Sequence, residues 1–246
     1  MYEKVHEYNN EAEVYDKSRF FSICGKHLDY MHKRIIRSLL NSSGGTILEA
    51  GVGTGRFSVW LSEKGFEVVG IDISKEMLKQ AKRKIQSSNV LLNLVLGDVH
   101  FLPFKKGIFD NCICINVVNH ITDIDQFLKE VKYVIDSKGF FIVNFPNLQS
   151  LYLPIAIIVN LRKRALFKKR KIYSKWFIPT KIKFLLSSAG FTIKEIRGCA
   201  ISTPLPFGDK LVKVIQKINF SIESSRVKLV SGSLFCKAYL AHSRAE

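Results

Sequence analysis

The stretch Thr46–Phe57, TILEAGVGTGRF, constrains this chain more than any other. Thr46, Ile47 and Leu48 form a short apolar run suited to a buried strand, and Phe57, Trp60 and Leu61 resume at helical spacing. Between them Gly51, Gly53 and Gly55 occupy alternate positions, which no stable strand or helix interior would carry. The stretch therefore reads as a strand, a glycine turn and a helix running from about Gly55 to Lys64. Missing side chains let a ligand approach the backbone, and the helix N-terminus turns its free N–H groups to the same place. Something binds at this turn.

The pattern repeats on either side. An amphipathic helix is expected over His27–Leu40, ended by Asn41, Ser42, Ser43, Gly44 and Gly45. Phe66–Ile71 reads as a second strand closing on Asp72, and Ser74 as the N-cap of a helix to about Ser87. Val90–Leu96, Phe109–Asn116 and Phe140–Phe145 read as further strands, with a helix over Ile124–Ile135. A helix over Thr180–Ala189 stops at Gly190, and Phe191–Ile196 and Leu234–Leu240 complete the strands. The excursion between those two contains Pro204, Pro206 and an amphipathic stretch over Asp209–Ile218. Near-continuous apolar strands alternating with helices predict a doubly wound α/β fold with a parallel sheet covered on both faces.

At 246 residues and 47% hydrophobic content the chain can bury a full core in one domain. The expected parts are an N-terminal lid and helix (1–45), a core (46–145), a basic insert or lid (146–178) and the C-terminal part of the sheet (179–246). There is no apolar leader and no run approaching a membrane span, so a cytoplasmic location is expected. The five cysteines contain no C-x-x-C, which argues against a disulfide framework and a metal site; Cys112 and Cys114, two apart, share one face of a strand. The charge of +17 is uneven: residues 1–136 hold 18 Lys and Arg against 17 Asp and Glu, and residues 137–246 hold 20 against 4. Almost the whole positive field lies in the second part.

In an open parallel sheet the ligand lies off the carboxyl ends of the strands. Asp72 ends the second strand about 20 residues after the turn, where a carboxylate accepts ribose hydroxyls, so an adenosine-like ligand is expected. A dinucleotide fingerprint, G-x-G-x-x-G, would place a glycine where Arg56 stands. Glu49 adds a negative charge just before the turn, unfavourable for a pyrophosphate and favourable for an ammonium or sulfonium. The expected ligand is cationic.

The chain resembles the class I S-adenosylmethionine-dependent methyltransferases, in particular the ubiquinone and menaquinone biosynthesis group. The segments that carry the resemblance are LEAGVGTG (48–55), VVGIDIS (68–74), LVLGDVHFLPF (94–104), FDNCICINVVNHI (109–121), FLKEVKYVIDSKGFFIV (127–143) and FLLSSAGFTIKEI (184–196). It implies a Rossmann-like seven-stranded sheet of order 3-2-1-4-5-7-6 with the last strand antiparallel, and S-adenosylmethionine as cofactor. By position it implies that Glu49 and the Gly51, Gly53 and Gly55 backbone hold the methionine part, and that Asp72 holds the ribose with Ile73 against the adenine. Asp98 would take the adenine amino group with Val99 beside it, and Asn116 would sit at the rim near the sulfonium. Tyr15, in VYDKSRF, resembles the family's segment that folds over the cofactor.

The acceptor is open at this level. A small or amphiphilic, lipid- or quinone-like molecule is the main reading, RNA an alternative, and a cofactor-binding module without turnover a third. His120, after the fourth strand, is either a general base or a histidine packed on a neighbouring loop. Leu151–Leu161 followed by Arg162, Lys163, Arg164, Lys168, Lys169, Arg170 and Lys171 has three readings: a lid, a peripheral contact with an anionic membrane through 151–175, or a nucleic-acid contact with Tyr173 and Trp176 stacking on bases.

Overall fold

The computed structural model describes residues 2–40, 44–88, 90, 92–150, 153, 154, 157, 175–199, 217, 223, 229 and 231–241. The chain opens with three helices, α1 (Tyr2–Glu11), α2 (Tyr15–Phe20) and α3 (Ile23–Leu39). The alternating region follows as β1 (Thr46–Ala50), α4 (Arg56–Ser62), β2 (Glu67–Asp72), α5 (Lys75–Ser88), β3 (Leu92–Leu96) and β4 (Phe109–Cys114). A 3-10 turn (Val118–His120), α6 (Ile124–Val134), β5 (Ile135–Pro146), α7 (Pro179–Ser188), β6 (Phe191–Cys199) and β7 (Ser233–Leu240) complete it.

The seven strands form one sheet of order β3-β2-β1-β4-β5-β7-β6. Neighbours from β3 to β5 pair in parallel, and β7 is antiparallel to both β5 and β6. This is the Rossmann-like arrangement that the resemblance implied. The strand order reverses beside β1, which opens a crevice off the carboxyl ends of β1 and β4.

Period-two alternation divides the core between the two faces. Leu48, Ala50, Cys112, Cys114, Phe141 and Val143 face a cluster covered by Phe127, Leu128 and Val131 of α6 and Ile182, Leu185 and Leu186 of α7. Ile47, Ile113, Phe140 and Ile142 face the other, covered by Leu28, Met31, Ile35, Ile36 and Leu39 of α3 and Phe57 and Leu61 of α4. Cys112 and Cys114 do share a face, and all five cysteines are buried thiols.

Several boundaries differ from the sequence expectation. α3 begins four residues before His27, because the Ser22 hydroxyl accepts the Gly25 N–H at 3.0 Å and caps it there. Residues 2–20, aperiodic in the sequence, form α1 and α2, which are held by polar contacts to distant elements. Asn9 of α1 accepts the Ser74 hydroxyl at 2.7 Å, and Asp16 of α2 accepts the Thr54 hydroxyl at 2.8 Å and pairs with Lys84 of α5. β4 ends at Cys114 rather than Asn116, since Asn116 turns to φ +62°. β5 starts at Ile135, five residues early, where it passes so close to β4 that a Cβ at Gly139 would meet the Asp110 carbonyl oxygen at 2.2 Å. β3 starts at Leu92 rather than Val90, and β1 runs on to Ala50.

The apolar run 151–161, the basic run up to residue 174 and the stretch 209–218 lie outside the described residues but for isolated positions. Among the described residues no helix is long and apolar enough to cross a membrane.

Candidate active site

The turn after β1 is set by its backbone. Gly51 and Val52 both donate their N–H to the Ile71 carbonyl, at 2.8 and 2.9 Å, which folds the chain sharply back across β2. Gly53, at φ +53°, has no atom within 4 Å of where a Cβ would stand, so the turn leaves open space at its tip. That space belongs to a cavity lined from β1, β2, the ends of β3 and β4, and helices α1 and α2.

Three carboxylates face it from neighbouring strand ends: Glu49, Asp72 and Asp98. Glu49, at the end of β1, is only 1% exposed and accepts the Ser58 hydroxyl of α4. Burial pushes its carboxyl up to about 8, partly countered by that hydrogen bond and by the Arg56 charge. Asp72 uses both oxygens: Oδ2 accepts the Gly53 N–H at 2.7 Å and Oδ1 the Ser74 N–H at 2.9 Å. It thereby ties the glycine turn to the start of α5, which the Ser74 hydroxyl caps through Met77 N–H at 3.2 Å. Desolvation raises Asp72 above the usual carboxylate range, opposed by these backbone donors.

Asp98, past the end of β3, is braced by His100. Its Oδ1 accepts the His100 backbone N–H at 3.0 Å and lies 2.6 Å from His100 Nδ1. His100 Nε2 accepts the Asp123 N–H at 3.3 Å, so Nδ1 carries the proton that is donated to Asp98. Asp123 is the N-cap of α6, accepting Gln126 N–H at 2.9 Å, so the carboxylate is anchored on a helix terminus.

On the other wall Asn116 stands exposed at the end of β4 in a left-handed conformation. A reciprocal pair with Asn144 of β5 holds it: Asn116 N–H donates to Asn144 Oδ1 at 2.6 Å, and Asn144 Nδ2 donates to Asn116 Oδ1 at 2.8 Å. Asn and Asp bear this conformation better than other side chains. His120 lies in the 3-10 turn with its Nε2 accepting from Asn119 Nδ2 at 2.8 Å and its ring edge-on to Tyr8, 5.6 Å between centroids. Lys175 returns to this lip, donating to the Ile121 and Thr122 carbonyls at 2.9 and 3.0 Å, while its N–H donates to Asn119 at 3.0 Å.

Of the residues singled out in the sequence, Tyr15, Glu49, Gly51, Gly53, Asp72, Ile73, Asp98, Val99, Asn116 and His120 line the cavity together. Gly55 does not. It caps α4 at φ +75°, and a Cβ there would meet Ala81 of α5 at 3.1 Å, so its role is packing behind the turn. Tyr8, Phe20, Arg56 and His100 line the cavity without having been picked out as site residues. Tyr8 and Phe20 carry no local signal, because α1 and α2 reach the cavity through tertiary contacts. His100 stood inside LVLGDVHFLPF, where its spacing two residues after Asp98 was the available sign.

The residues from 48 to 143 match the family model described as a methyltransferase domain. A ubiquinone biosynthesis O-methyltransferase of Rickettsia canadensis is 26% identical over 172 residues, which is 70% of this chain and 72% of that protein. The chain is an S-adenosylmethionine-dependent methyltransferase, similar to the class I enzymes in its matched domain and fold. Its cofactor is S-adenosylmethionine. Solved methyltransferases share the fold. A Thermotoga maritima structure, described as a possible histamine N-methyltransferase, has a TM-score of 0.64 at 20% identity, covering 97% of this chain and 99% of that one. Magnesium protoporphyrin IX methyltransferase of Synechocystis, solved with bound S-adenosylhomocysteine, has a TM-score of 0.61 at 19% identity, covering 89% and 88%. The methyltransferase's own cavity fits such a cofactor chemically, since three carboxylates and open backbone suit an adenosine that carries positive charge.

Proposed function

We propose that the cofactor lies across the carboxyl ends of β1, β2 and β3 and that its methyl passes directly to a small or amphiphilic acceptor of the quinone or phenol kind. Glu49 and the turn backbone at Gly51 and Gly53 would hold the amino acid portion. Asp72 would take the ribose hydroxyls with Ile73 beside the adenine, and Asp98, braced by His100, would take the adenine amino group next to Val99. Tyr15 would cover the cofactor from α2, with Asn116 at the methyl's edge. The observation that carries this reading is the convergence of Glu49, Asp72 and Asp98 on one cavity whose lining also includes the apolar Ile115, Val117 and Ile121.

When bound, S-adenosylmethionine supplies a methyl group on a positively charged sulfur, open to displacement by a single nucleophile. The protein's part is then alignment and exclusion of water. The acceptor would enter over 116–120, beside the segment that Lys175 fastens to the same lip. His120 has its Nε2 lone pair engaged by Asn119, an arrangement suited to a wall of the acceptor pocket rather than to proton removal. A phenol ionises readily enough to need no strong base. The likeness to a Rickettsia ubiquinone biosynthesis O-methyltransferase and the apolar side chains in the lining both favour this acceptor class.

A second reading rests on the 20 Lys and Arg against 4 Asp and Glu beyond residue 136, which would suit RNA phosphates as well as an anionic membrane. Incubation with methyl-labelled cofactor and fractionated cell extract separates the two. Label in the organic-soluble fraction is the expected result; label in RNA, with steeply salt-dependent RNA binding, would replace it.

A further inference from the structure

Among the described residues, the Lys, Arg, Asp and Glu side chains that line the cavity are three acids, Glu49, Asp72 and Asp98, and one base, Arg56. Arg56 is the first residue of α4, directly after the turn. Its guanidinium lies between two rings, 4.0 Å from the centroid of Phe20 on α2 and 3.9 Å from that of Phe57. Nη1 pairs with Asp29 of α3, which Lys33 also engages at 3.0 Å. Among the described residues no acceptor takes Nη2 or Nε, so a flat, clamped guanidinium has donors left for a ligand.

The ligand's chemistry says what those donors meet. The amino acid portion of the cofactor carries an ammonium and a carboxylate on one carbon, so their partners must stand close together and be of opposite charge. Glu49 and Arg56 meet both conditions: Arg56 lies near enough to pull the Glu49 carboxyl downward, and both border the cavity. A carboxylate placed among Glu49, Asp72 and Asp98 without a cation would be repelled by all three. We infer that Arg56 recognises the carboxylate of the cofactor's amino acid portion, its plane fixed by Phe20, Phe57 and Asp29. This rests on the placement of the cofactor proposed above. It makes Arg56 the residue that separates S-adenosylmethionine from adenosine ligands lacking a carboxylate, and through Phe20 it gives α2 a direct contact with that selection.

The test is calorimetric binding of S-adenosylmethionine and of decarboxylated S-adenosylmethionine, which keeps the sulfonium and ammonium, to the wild type, Arg56→Gln and Arg56→Lys. Wild type should prefer the carboxylate-bearing ligand. Arg56→Gln should weaken it on the order of 10–100-fold while leaving the decarboxylated ligand within about 2-fold, and Arg56→Lys, which keeps the charge but not the fork, should fall between. Equal loss for both ligands would mean that Arg56 only supports the fold of the site and would overturn the inference, as would no loss for either. Wild type binding neither ligand would remove the cofactor placement and this inference together. Thermal unfolding of each variant without ligand identifies a folding defect, and the charge-preserving Arg56→Lys carries the comparison if Arg56→Gln is unstable.

Discussion

The strands from β3 to β4 run parallel and turn their carboxyl ends toward the cavity, whereas β7 runs antiparallel between β5 and β6, and none of the described residues of β5, β6 or β7 lines that cavity. The parallel half holds its functional groups with backbone: Asp72 on two N–H groups, the turn on the Ile71 carbonyl. The antiparallel half is mostly core, and its buried cation is satisfied internally. Lys237 of β7 donates to the Leu39 carbonyl at the end of α3 at 2.7 Å and lies 4.0 Å above the Phe140 ring. The buried carboxylates of one half border a cavity as well as their protein partners, whereas the buried Lys237 of the other is held by protein groups away from it.

That contrast can be broken by mutation. The largest effect is expected for Asp72→Ala, which removes a proposed ribose contact and releases both Gly53 and Ser74. Cofactor affinity should fall on the order of 100-fold or more, roughly 3 kcal/mol, read by calorimetry. Unchanged affinity would take Asp72 out of the site.

Glu49→Gln should act in opposite directions on binding and on stability. Because folding raises the Glu49 carboxyl to about 8, the folded state holds a proton there that the unfolded state has lost above its ordinary value of 4.5. Stability from this group therefore declines as pH rises between those values. Without ligand the glutamine variant should melt higher than wild type at pH 8, by about 2–4 °C for each kcal/mol relieved in a chain of this size. The same variant should bind cofactor more weakly by on the order of 10–100-fold, as it cannot become the anion that an ammonium needs. A lower melting temperature at pH 8 would contradict the account of this carboxyl.

In the other half, Lys237→Met should destabilise the fold by about 1–3 kcal/mol in denaturant titration, since the Leu39 carbonyl loses its buried donor. Cofactor affinity should stay within about 2-fold of wild type. A large loss of binding would show that the two halves are coupled and would weaken the contrast.

At the seam, Asn144→Ala breaks the pair that holds Asn116 in its left-handed conformation. Turnover should drop about 5–10-fold with a smaller change in cofactor affinity, because the strand end faces the acceptor side. The smallest effect belongs to His120→Ala. Less than about 10-fold loss of kcat with an unaltered pH profile is expected, whereas a loss of 100-fold or more with a missing ionisation would make His120 the general base.

The same contrast explains what could be read from the sequence. Turn, strands and strand-end carboxylates come from local signals: glycines at alternate positions, apolar runs of strand length, an acid at the end of the first three runs; the sheet order comes from the family resemblance. Ten of the eleven residues picked out from these signals and from the resemblance line one cavity. Gly55 was drawn in by its spacing, and only the approach of Ala81 reveals its packing role. Tyr8, Phe20 and Arg56 were missed as site residues for the opposite reason. Their place depends on α1 and α2 docking through Asn9–Ser74 and Asp16–Lys84, contacts separated by more than sixty residues, and on a guanidinium clamped between rings from two helices. The early start of β5 likewise follows from its close pass by Asp110, which no periodicity encodes.

The central claim is that a cationic adenosine cofactor occupies the cavity against Glu49. Calorimetric titration with S-adenosylmethionine from pH 6 to 9, repeated in two buffers of different ionisation enthalpy, tests it directly. The account predicts release of protons on binding below pH 8, with affinity rising toward that value as Glu49 ionises and falling above it as the cofactor's own amino group loses its proton, and loss of the proton release and of the rise in Glu49→Gln. Binding that is independent of pH, or a proton release that persists in Glu49→Gln, would contradict it.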